Sequence, residues 1–359
     1  MSLERQVTFW VAALAVLVAM LWLLSGILLP FVAGLVLAYL LTPLADRLER
    51  MGLNRLIAAL LIVALVVCVF VLIVLLAAPL LGNQLASFIQ KFPDYVAKLQ
   101  SLLADPPWPW LKKLVGVSEG IRNEKTFGDL VSQGTGWLTA FLRSLWSGGQ
   151  TLVSVFSLIV ITPVVVFYLV YDWHRMIHAA GNWVPVHHRA TVRKLALEID
   201  AAIAGFVRGQ TAVCLLLGSF YAIALSLTGL NFGLLIGLGS GLLTFIPYVG
   251  SMTGLVLATG VAIAQFAPAI APIVTVAGIF MAGQFIEGNL LSPKLVGESV
   301  GLHPVWLIFA LLAFGYLFGF VGLLMAVPLA ATIGVLVRFA FARYRESSIY
   351  TGKTRRRSR

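Results

Sequence analysis

Glu287 is the residue of this chain best placed to do chemistry. It is the only carboxylate in the range 209–297, which is otherwise strongly apolar. A charged side chain near the hydrocarbon of a membrane is costly, and such residues usually serve the passage of a proton, an ion or a polar solute. Gln284 and Asn289 add amide donors and acceptors to the same pocket. The plain alternative is that Glu287 lies at the inner membrane surface and pairs with Lys294.

A second group of residues could bind a substrate through backbone N–H and C=O groups rather than through side chains. Two apolar pieces, 232–246 and 252–264, are each too short to cross a membrane comfortably. They predict a re-entrant hairpin that enters and returns at the outer side, with its tip at 247–251. Unwound backbone at membrane depth is tolerated only against protein, water or substrate. The tip residues that we expect to shape a substrate site are Pro247, Tyr248 and Gly250, and a plain turn is the alternative.

The last apolar stretch predicts a second broken hairpin, because an even number of crossings there returns the basic tail to the cytoplasm. Short segments interrupted by Gly or Pro are the best sequence pointer to a transporter's binding site. The pattern Gly-Leu-Leu-x-x-aliphatic-Pro occurs at 241–247 and again at 322–328, as a true repeat or by chance. The residues predicted to form the hairpins and the rigid turn between them are Gly237, Gly239, Gly241, Pro293, Gly297, His303, Pro304, Gly319, Gly322 and Pro328.

The composition excludes a water-soluble fold. The chain of 359 residues is 60% hydrophobic and 11% charged, with a mean hydropathy of +0.99, whereas soluble domains carry about 25% charged residues. Of the net charge of +11, most lies from Arg338 onward, where eight Lys or Arg accompany one Glu. This placement indicates a cytoplasmic tail against anionic lipid and no binding of nucleic acid. We therefore expect an integral membrane protein.

Enzymatic motifs are missing from the sequence. It has no phosphate-binding Gly-x-x-x-x-Gly-Lys loop, no Gly-x-Ser-x-Gly and no His-Glu-x-x-His. His174 and His178 are four residues apart, but no cysteine accompanies them, so neither a metal nor a cofactor is expected. Cys68 and Cys214 lie inside apolar stretches and are interpreted as packing residues. The sequence indicates that this protein is not an enzyme.

The apolar runs predict an all-α polytopic membrane protein with about six full spans plus two re-entrant hairpins. Short basic segments at 46–55 and 172–208 and the basic tail belong inside the cell by the positive-inside rule, which puts 81–149 outside. The predicted divisions are N-terminal spans 1–80, an extracytoplasmic amphipathic segment 81–149, a span 150–171, a cytoplasmic amphipathic linker 172–208, a core 209–338 and a tail 339–359. Within 81–149, two amphipathic helices are expected on either side of Asp105-Pro-Pro-Trp-Pro-Trp110, which no helix can continue through.

Four motifs of the C-terminal half are distinctive when taken together: Phe245-Ile-Pro-Tyr-Val-Gly250, Glu287-Gly-Asn-Leu-Leu-Ser-Pro-Lys-Leu-Val-Gly297, Val300-Gly-Leu-His-Pro304 and Gly319-Phe-Val-Gly322 before Pro328. With them the chain resembles one family, the autoinducer-2 exporter superfamily of bacterial permease-like proteins. The ending Ala38-Tyr-Leu-Leu-Thr-Pro43 of the N-terminal spans also fits this family.

The resemblance implies a homo-oligomeric, pentameric transporter of the bacterial inner membrane that exports small polar molecules such as autoinducer-2. It also implies an elevator-like motion, with 247–250 and 287–293 lining the moving core. Some relatives are described as sodium or lithium/proton antiporters, so a proton or sodium is a second expected ligand. A membrane scaffold that does not transport is a third hypothesis, against which the broken half-spans argue. The sequence leaves the substrate and the coupling ion open.

Overall fold

The computed structural model describes residues 3–104, 107–108, 149–296, 303–346 and 350. These residues form helices, and the described part of the chain contains no strand. The helices are α1 (Leu3–Leu23), α2 (Leu28–Arg50), α3 (Arg55–Ala104), α4 (Gly149–Trp183), α5 (Arg189–Leu227), α6 (Gly233–Leu243), α7 (Val249–Phe266), α8 (Ile270–Ile286) and α9 (Pro304–Glu346), with short 3-10 turns at Ser25–Ile27 and Val186–His188 and a π-helical segment at Glu287–Val296.

Seven helical stretches among the described residues are long and apolar enough to cross a membrane. The shorter helix α6 is apolar but has only 11 residues. This confirms the prediction of an all-α polytopic membrane protein. The seven stretches are Ser25–Arg50, Arg55–Ala77, Leu158–Trp183, Val186–Leu227, Val249–Phe266, Ile270–Val296 and Pro304–Glu346.

Some helix breaks were predicted correctly and others do not exist. The break near Ser25-Gly26 is present, and α3 ends at Ala104, directly before the proline-rich run. However, α3 is one helix of 50 residues that joins the predicted span to the first amphipathic helix. A spanning helix and an amphipathic helix share the 3.6-residue period, so no local signal separates them. The second amphipathic helix was predicted within 111–148, outside the described residues.

The chain divides into two compact units. The first unit comprises Met1–Ala64, Leu158–Gly209 and Val296–Arg359, and the second comprises Leu65–Ser157 and Gln210–Leu295. Both predicted hairpins can be placed in this division. The hairpin built on α6 and α7 belongs to the second unit, and the broken helix α9 belongs to the first.

Polar side chains link the helices of the first unit. Arg55, at the start of α3, donates through Nη1 to Asp46 at 2.6 Å and to Glu49 at 3.0 Å, and through Nε to the carbonyl of Val170 at 3.0 Å. Gly34 of α2 packs so closely on Val165 of α4 that a side chain there would overlap it. The charge-assisted hydrogen bonds of Arg55 join the start of α3 to the C-terminal part of α2, and its bond to Val170 joins it to α4.

Tyr39 provides a second link in the first unit. Its hydroxyl donates to Asp200 at 3.0 Å, its ring meets Trp173 edge-on, and its carbonyl accepts a hydrogen bond from Arg208 Nε at 3.2 Å. Asp200 and Arg208 both lie in the part of α5 that was predicted to be an interfacial helix. That helix continues without a break into the next span, so α5 has 39 residues.

In the second unit, the C-terminal half of α3 contacts the chain just before α6, and the end of α7 is bonded to the same place. Tyr95 of α3 accepts a hydrogen bond from Asn231 Nδ2 at 3.0 Å, and Gln265 at the end of α7 accepts one from the Asn231 backbone at 2.8 Å. Phe88 of α3 packs edge-on against Phe232, with ring centroids 5.2 Å apart. The base of the hairpin is thus bound to a long helix, and its tip lies at the opposite end of α6.

Candidate functional site

Helices α6 and α7 form the helix–turn–helix predicted for 232–264, with its tip between them. α7 is itself one of the candidate spans, so the re-entrant path of this hairpin stays a prediction. Tyr248 adopts a left-handed backbone with a φ of 68°, which is uncommon for a residue other than glycine. Its side chain is 54% exposed. Gly250 packs under Thr244, where a side chain would overlap backbone atoms. α7 begins at Val249 and has 18 residues, so the second arm is longer than the sequence predicted.

A row of glycines lets α6 lie directly against α5. Gly233, Gly237 and Gly241 recur every four residues on one face of α6, and a side chain at any of them would meet the backbone of α5. Gly239 is on another face with open space around it. Small residues at four-residue spacing permit close packing of membrane helices. Gly237 and Gly241 therefore have a packing role, and their predicted role as hinges stays a prediction.

Gln210 fastens the hairpin tip to α5, and the sequence did not reveal this contact. Its Nε2 donates to the carbonyl of Thr244 at 2.6 Å, and its side chain is buried. Thr244 and Ser240 bind back to α6 carbonyls through their hydroxyls, at 2.8 Å and 2.6 Å. These buried polar groups lie where α6 ends, which is where a helix leaves its last carbonyls without partners.

Glu287 begins the π-helical segment that follows α8. Gln284 Nε2 donates to Glu287 Oε2 at 2.9 Å, so these two predicted site residues are brought together. Asn289 Nδ2 instead donates to the carbonyl of Phe285 at 3.0 Å. Within the described residues, Glu287 forms no ion pair with Lys294, although such a pair was the plain alternative to a functional role. Wide π turns occur frequently at functional sites.

The predicted turn between α8 and α9 is partly wrong. Residues 290–303 were expected to form a turn-prone connection, but helical structure continues to Val296 with Pro293 inside it. A π turn can accommodate proline because its missing hydrogen bond falls where the backbone is already widened. Gly297 lies outside the described residues. His303 caps α9, since its Nδ1 accepts the Val305 N–H at 3.3 Å.

Pro304 occupies the first position of α9. This is the favoured site for proline in a helix, because its missing N–H would have no partner there. Together with the His303 cap it gives α9 a defined start. The structural role predicted for these two residues is consistent with that position.

The predicted second hairpin is seen as a fold-back within α9. Gly319 has φ 60° and ψ −137°, a conformation that is accessible essentially to glycine alone. Gly322 lies against the carbonyl of Phe314 and Gly315 against Leu323. In an unbroken helix, residues eight apart are separated by about 12 Å along the axis. The chain therefore reverses at Gly319, and the two arms pack on each other.

The two copies of the Gly-Leu-Leu pattern occupy different positions. In 241–247, the glycine is near the end of α6 and Pro247 lies in the turn that follows. In 322–328, the glycine comes after the reversal, and Pro328 is buried inside the second arm of α9. Members of a true repeat would have matching structures. The two copies therefore do not occupy equivalent places in their helices, and a true repeat stays a prediction.

The site residues group by unit. In the second unit, Gln284 and Glu287 are joined, whereas no hydrogen bond among the described residues links Glu287 to the tip at 247–250. The motif residues of α9 belong to the first unit. Paired helices with internal reversals and a carboxylate beside a π turn are features of a membrane transport protein rather than of a simple anchor.

Comparison with known proteins gives the family. A family model described as "AI-2E family transporter" matches residues 11–341. The chain belongs to the AI-2E transporter family. Over 322 residues it is 29% identical to YrrI of Bacillus subtilis, a proposed transport protein, covering 88% of this chain and 87% of YrrI. It is also 29% identical over 336 residues to PerM of Escherichia coli, a proposed permease, covering 91% of this chain and 92% of PerM.

Membership of this family supports a membrane transporter and agrees with the seven candidate spans. The motifs from which the resemblance was drawn lie inside the matched region. Relatives named as transport proteins and permeases also point away from an enzyme.

Proposed function

We propose that this protein is a secondary transporter that exports a small polar metabolite across the bacterial inner membrane. In this proposal, the α6–α7 hairpin and the Glu287 segment form the moving core. The observation that carries it is the cluster of buried polar groups at an interrupted helix: Gln210, Ser240 and Thr244 lie near the end of α6. A protein that only anchored partners would not need such groups.

Autoinducer-2 is the solute that we propose, because the chain belongs to the family named for its transport. In this proposal, the hydroxyl groups of a small polar solute would be bound by backbone donors and acceptors at the ends of the interrupted helices. An elevator-like motion of the hairpin core would open the solute site to one side of the membrane and then to the other. The N-terminal spans would form the fixed scaffold of a homo-oligomer, which is a pentamer in our proposal. Both termini would lie in the cytoplasm.

Exchange of a cation for a proton is the second candidate, and Glu287 is the observation that favours it. A carboxylate in an apolar span is a natural carrier of a proton or sodium. Its hydrogen bond from Gln284 holds one carboxylate oxygen in place while the other stays available to a ligand. This candidate differs from the first only in what the core carries.

Flux into proteoliposomes tests both candidates. Purified wild-type protein would be reconstituted, and uptake of autoinducer-2 and of sodium would be followed side by side under an imposed pH gradient. Autoinducer-2 flux above that of protein-free liposomes is the expected result. Sodium flux alone would replace the exporter with the antiporter. Flux of neither by a well-folded oligomer would contradict both and favour a scaffold.

A further inference from the structure

The start of α6 is capped by a side chain of α3. The first N–H groups of a helix have no partner inside it, and Phe232, which precedes α6, has no polar side-chain atom to offer them. The N–H of Leu235, the third residue of α6, donates instead to Oε1 of Gln84 at 3.2 Å. A residue 151 positions earlier in the sequence therefore completes the beginning of the hairpin.

The turn into α6 is also held by α3. Phe232 has a left-handed backbone with a φ of 62°, and an aromatic residue keeps such a conformation only where its surroundings impose it. Two rings of α3 meet the Phe232 ring edge-on, that of Phe88 with centroids 5.2 Å apart and that of Tyr95 at 6.2 Å. Packing against α3 thus stabilises the strained residue at which the hairpin begins.

The same part of the chain also reaches the far end of the hairpin. Asn231 donates through Nδ2 to the Tyr95 hydroxyl at 3.0 Å, and its backbone N–H donates to Gln265 Oε1, at the end of α7, at 2.8 Å. Shortly after α3, Trp108 Nε1 donates to the carbonyl of Pro268 at 2.9 Å, in the connection between α7 and α8. The beginning and the end of the hairpin are therefore held from one side.

The contacts of this clamp include buried rings as well as exposed hydrogen bonds. All its residues lie beyond the candidate span Arg55–Ala77 of α3 and within the second unit. Opening it would break three hydrogen bonds and bring two rings that are now buried, Phe88 and Phe232, into contact with water. Segments that open in a working cycle usually have few buried apolar contacts. The residues that we call the hairpin clamp are Gln84, Phe88, Tyr95 and Trp108.

We propose that the hairpin clamp stays closed throughout the transport cycle, so that its positioning residues move together with the α6–α7 hairpin. This inference rests on the proposed function and adds to it a limit on the path of the solute. The solute does not pass between the C-terminal part of α3 and the base of the hairpin. The inference assigns that part of α3 to the moving core, although 81–149 lay outside the core in the division predicted from the sequence.

Hydrogen–deuterium exchange on the purified full-length protein tests the clamp without measuring transport. In Gln84→Leu, we expect the N–H groups of 229–236 to exchange about fivefold faster, because the Leu235 N–H loses its acceptor. The matched control is Gln90→Leu, at an exposed glutamine of the same helix, which should leave the exchange of 229–236 unchanged. Equal exchange in the two variants would overturn the clamp.

A second variant decides the question if Gln84→Leu does not fold. Tyr95→Phe keeps the ring that packs on Phe232 and removes only the hydroxyl that accepts from Asn231. Faster exchange of 229–236 in this variant supports the clamp. Exchange equal to that of the wild type overturns it.

A chemical cross-link tests whether the clamp stays closed. Cys68 and Cys214 are replaced by alanine, and Tyr95→Cys and Asn231→Cys are then joined by a short bismaleimide in proteoliposomes. We expect autoinducer-2 flux through the linked protein to equal or exceed that of the unlinked double variant, because the link replaces a contact that is never released. The single variant Tyr95→Cys, treated in the same way, measures the effect of the reagent alone.

The outcomes separate this inference from the proposed function. Flux that is present before linking and lost after it overturns the inference, because the segment then has to come away from the hairpin, and leaves the proposed function standing. A wild type without flux overturns the proposed function and, with it, the statement about the cycle. The exchange measurements then still decide whether the clamp holds the hairpin.

Discussion

The buried side chain of Gln210 binds the end of α6 through a hydrogen bond. Its amide satisfies the carbonyl of Thr244, which the end of α6 leaves without an intrahelical partner. The rest of the tip is held by hydroxyl groups that bind back to α6 itself. Gln210 therefore supplies a side-chain hydrogen bond that ties the tip to α5.

Gln210→Leu should destabilise the protein, because the Thr244 carbonyl loses its partner while it stays buried. The cost is about 1–2 kcal/mol, at the upper end of what single hydrogen bonds contribute in membrane proteins. Thermal stability in detergent, followed by the loss of the monodisperse peak in size-exclusion chromatography, measures this. Gln100→Leu replaces an exposed glutamine of α3 and should leave stability unchanged. Equal stability of the two variants would contradict the proposed role of Gln210.

At the scale of the helices, each glycine of α6 has a packing role only if it lies on the face of α6 that contacts α5. Gly237 and Gly241 touch the backbone of α5, and Gly239, between them, touches nothing within 4 Å. The sequence predicted a glycine-rich short helix and its turn correctly, because Gly and Pro mark such places by their backbone properties. It did not separate the packing glycines from the free one, because that depends on the partner helix.

Alanine substitutions at these three glycines should therefore change the stability of the protein in opposite directions. Gly237→Ala and Gly241→Ala force α5 and α6 apart and should cost several kcal/mol or prevent folding. Gly239→Ala should stabilise α6 by about 0.5–1 kcal/mol, since alanine loses less backbone freedom in a helix than glycine. The yield of folded protein and its melting temperature in detergent check this. A similar loss at all three positions would show that flexibility, rather than close packing, is what α6 needs.

Contacts between distant parts of the sequence mark the limit of what sequence could predict here. Glu287 and Gln284 were recognised because polar residues are conspicuous in an apolar span. Gln210 was missed, since it lies 34 residues before Thr244 and nothing local distinguishes it from other polar residues at the start of a span. The continuation of α8 into a π-helical segment was also missed, because Pro293 and the polar residues around it normally indicate a turn.

For the whole molecule, the exposed surface is that of a protein surrounded by lipid or by other subunits. Large apolar side chains along the first part of α3 are exposed in the single chain, among them Leu75 at 67% and Leu76 at 70%. Such a surface would aggregate in water. The charge of the short loops predicts cytoplasmic termini and an external segment 81–149.

Single cysteines labelled with a membrane-impermeant maleimide test this topology. With Cys68 and Cys214 replaced by alanine, Ser101→Cys at the far end of α3 should react in intact cells. Asn182→Cys at the end of α4 should react only in inverted membrane vesicles. Both positions are exposed in the structure, so burial does not decide the outcome. Labelling in the reverse pattern would show that the chain is inserted the other way round.

The central claim is that the second unit carries a polar solute with Glu287 as the group that couples flux to protons. It is tested most directly by flux into proteoliposomes under a pH gradient, with wild type, Glu287→Gln and the control Glu198→Gln compared at equal amounts of folded protein. Glu198 is a half-exposed carboxylate of the first unit that pairs loosely with Lys194 at 4.0 Å. We expect solute flux that depends on the gradient in wild type and Glu198→Gln, and that loses this dependence in Glu287→Gln, because a glutamine cannot exchange a proton. Unchanged gradient dependence in Glu287→Gln would contradict the account.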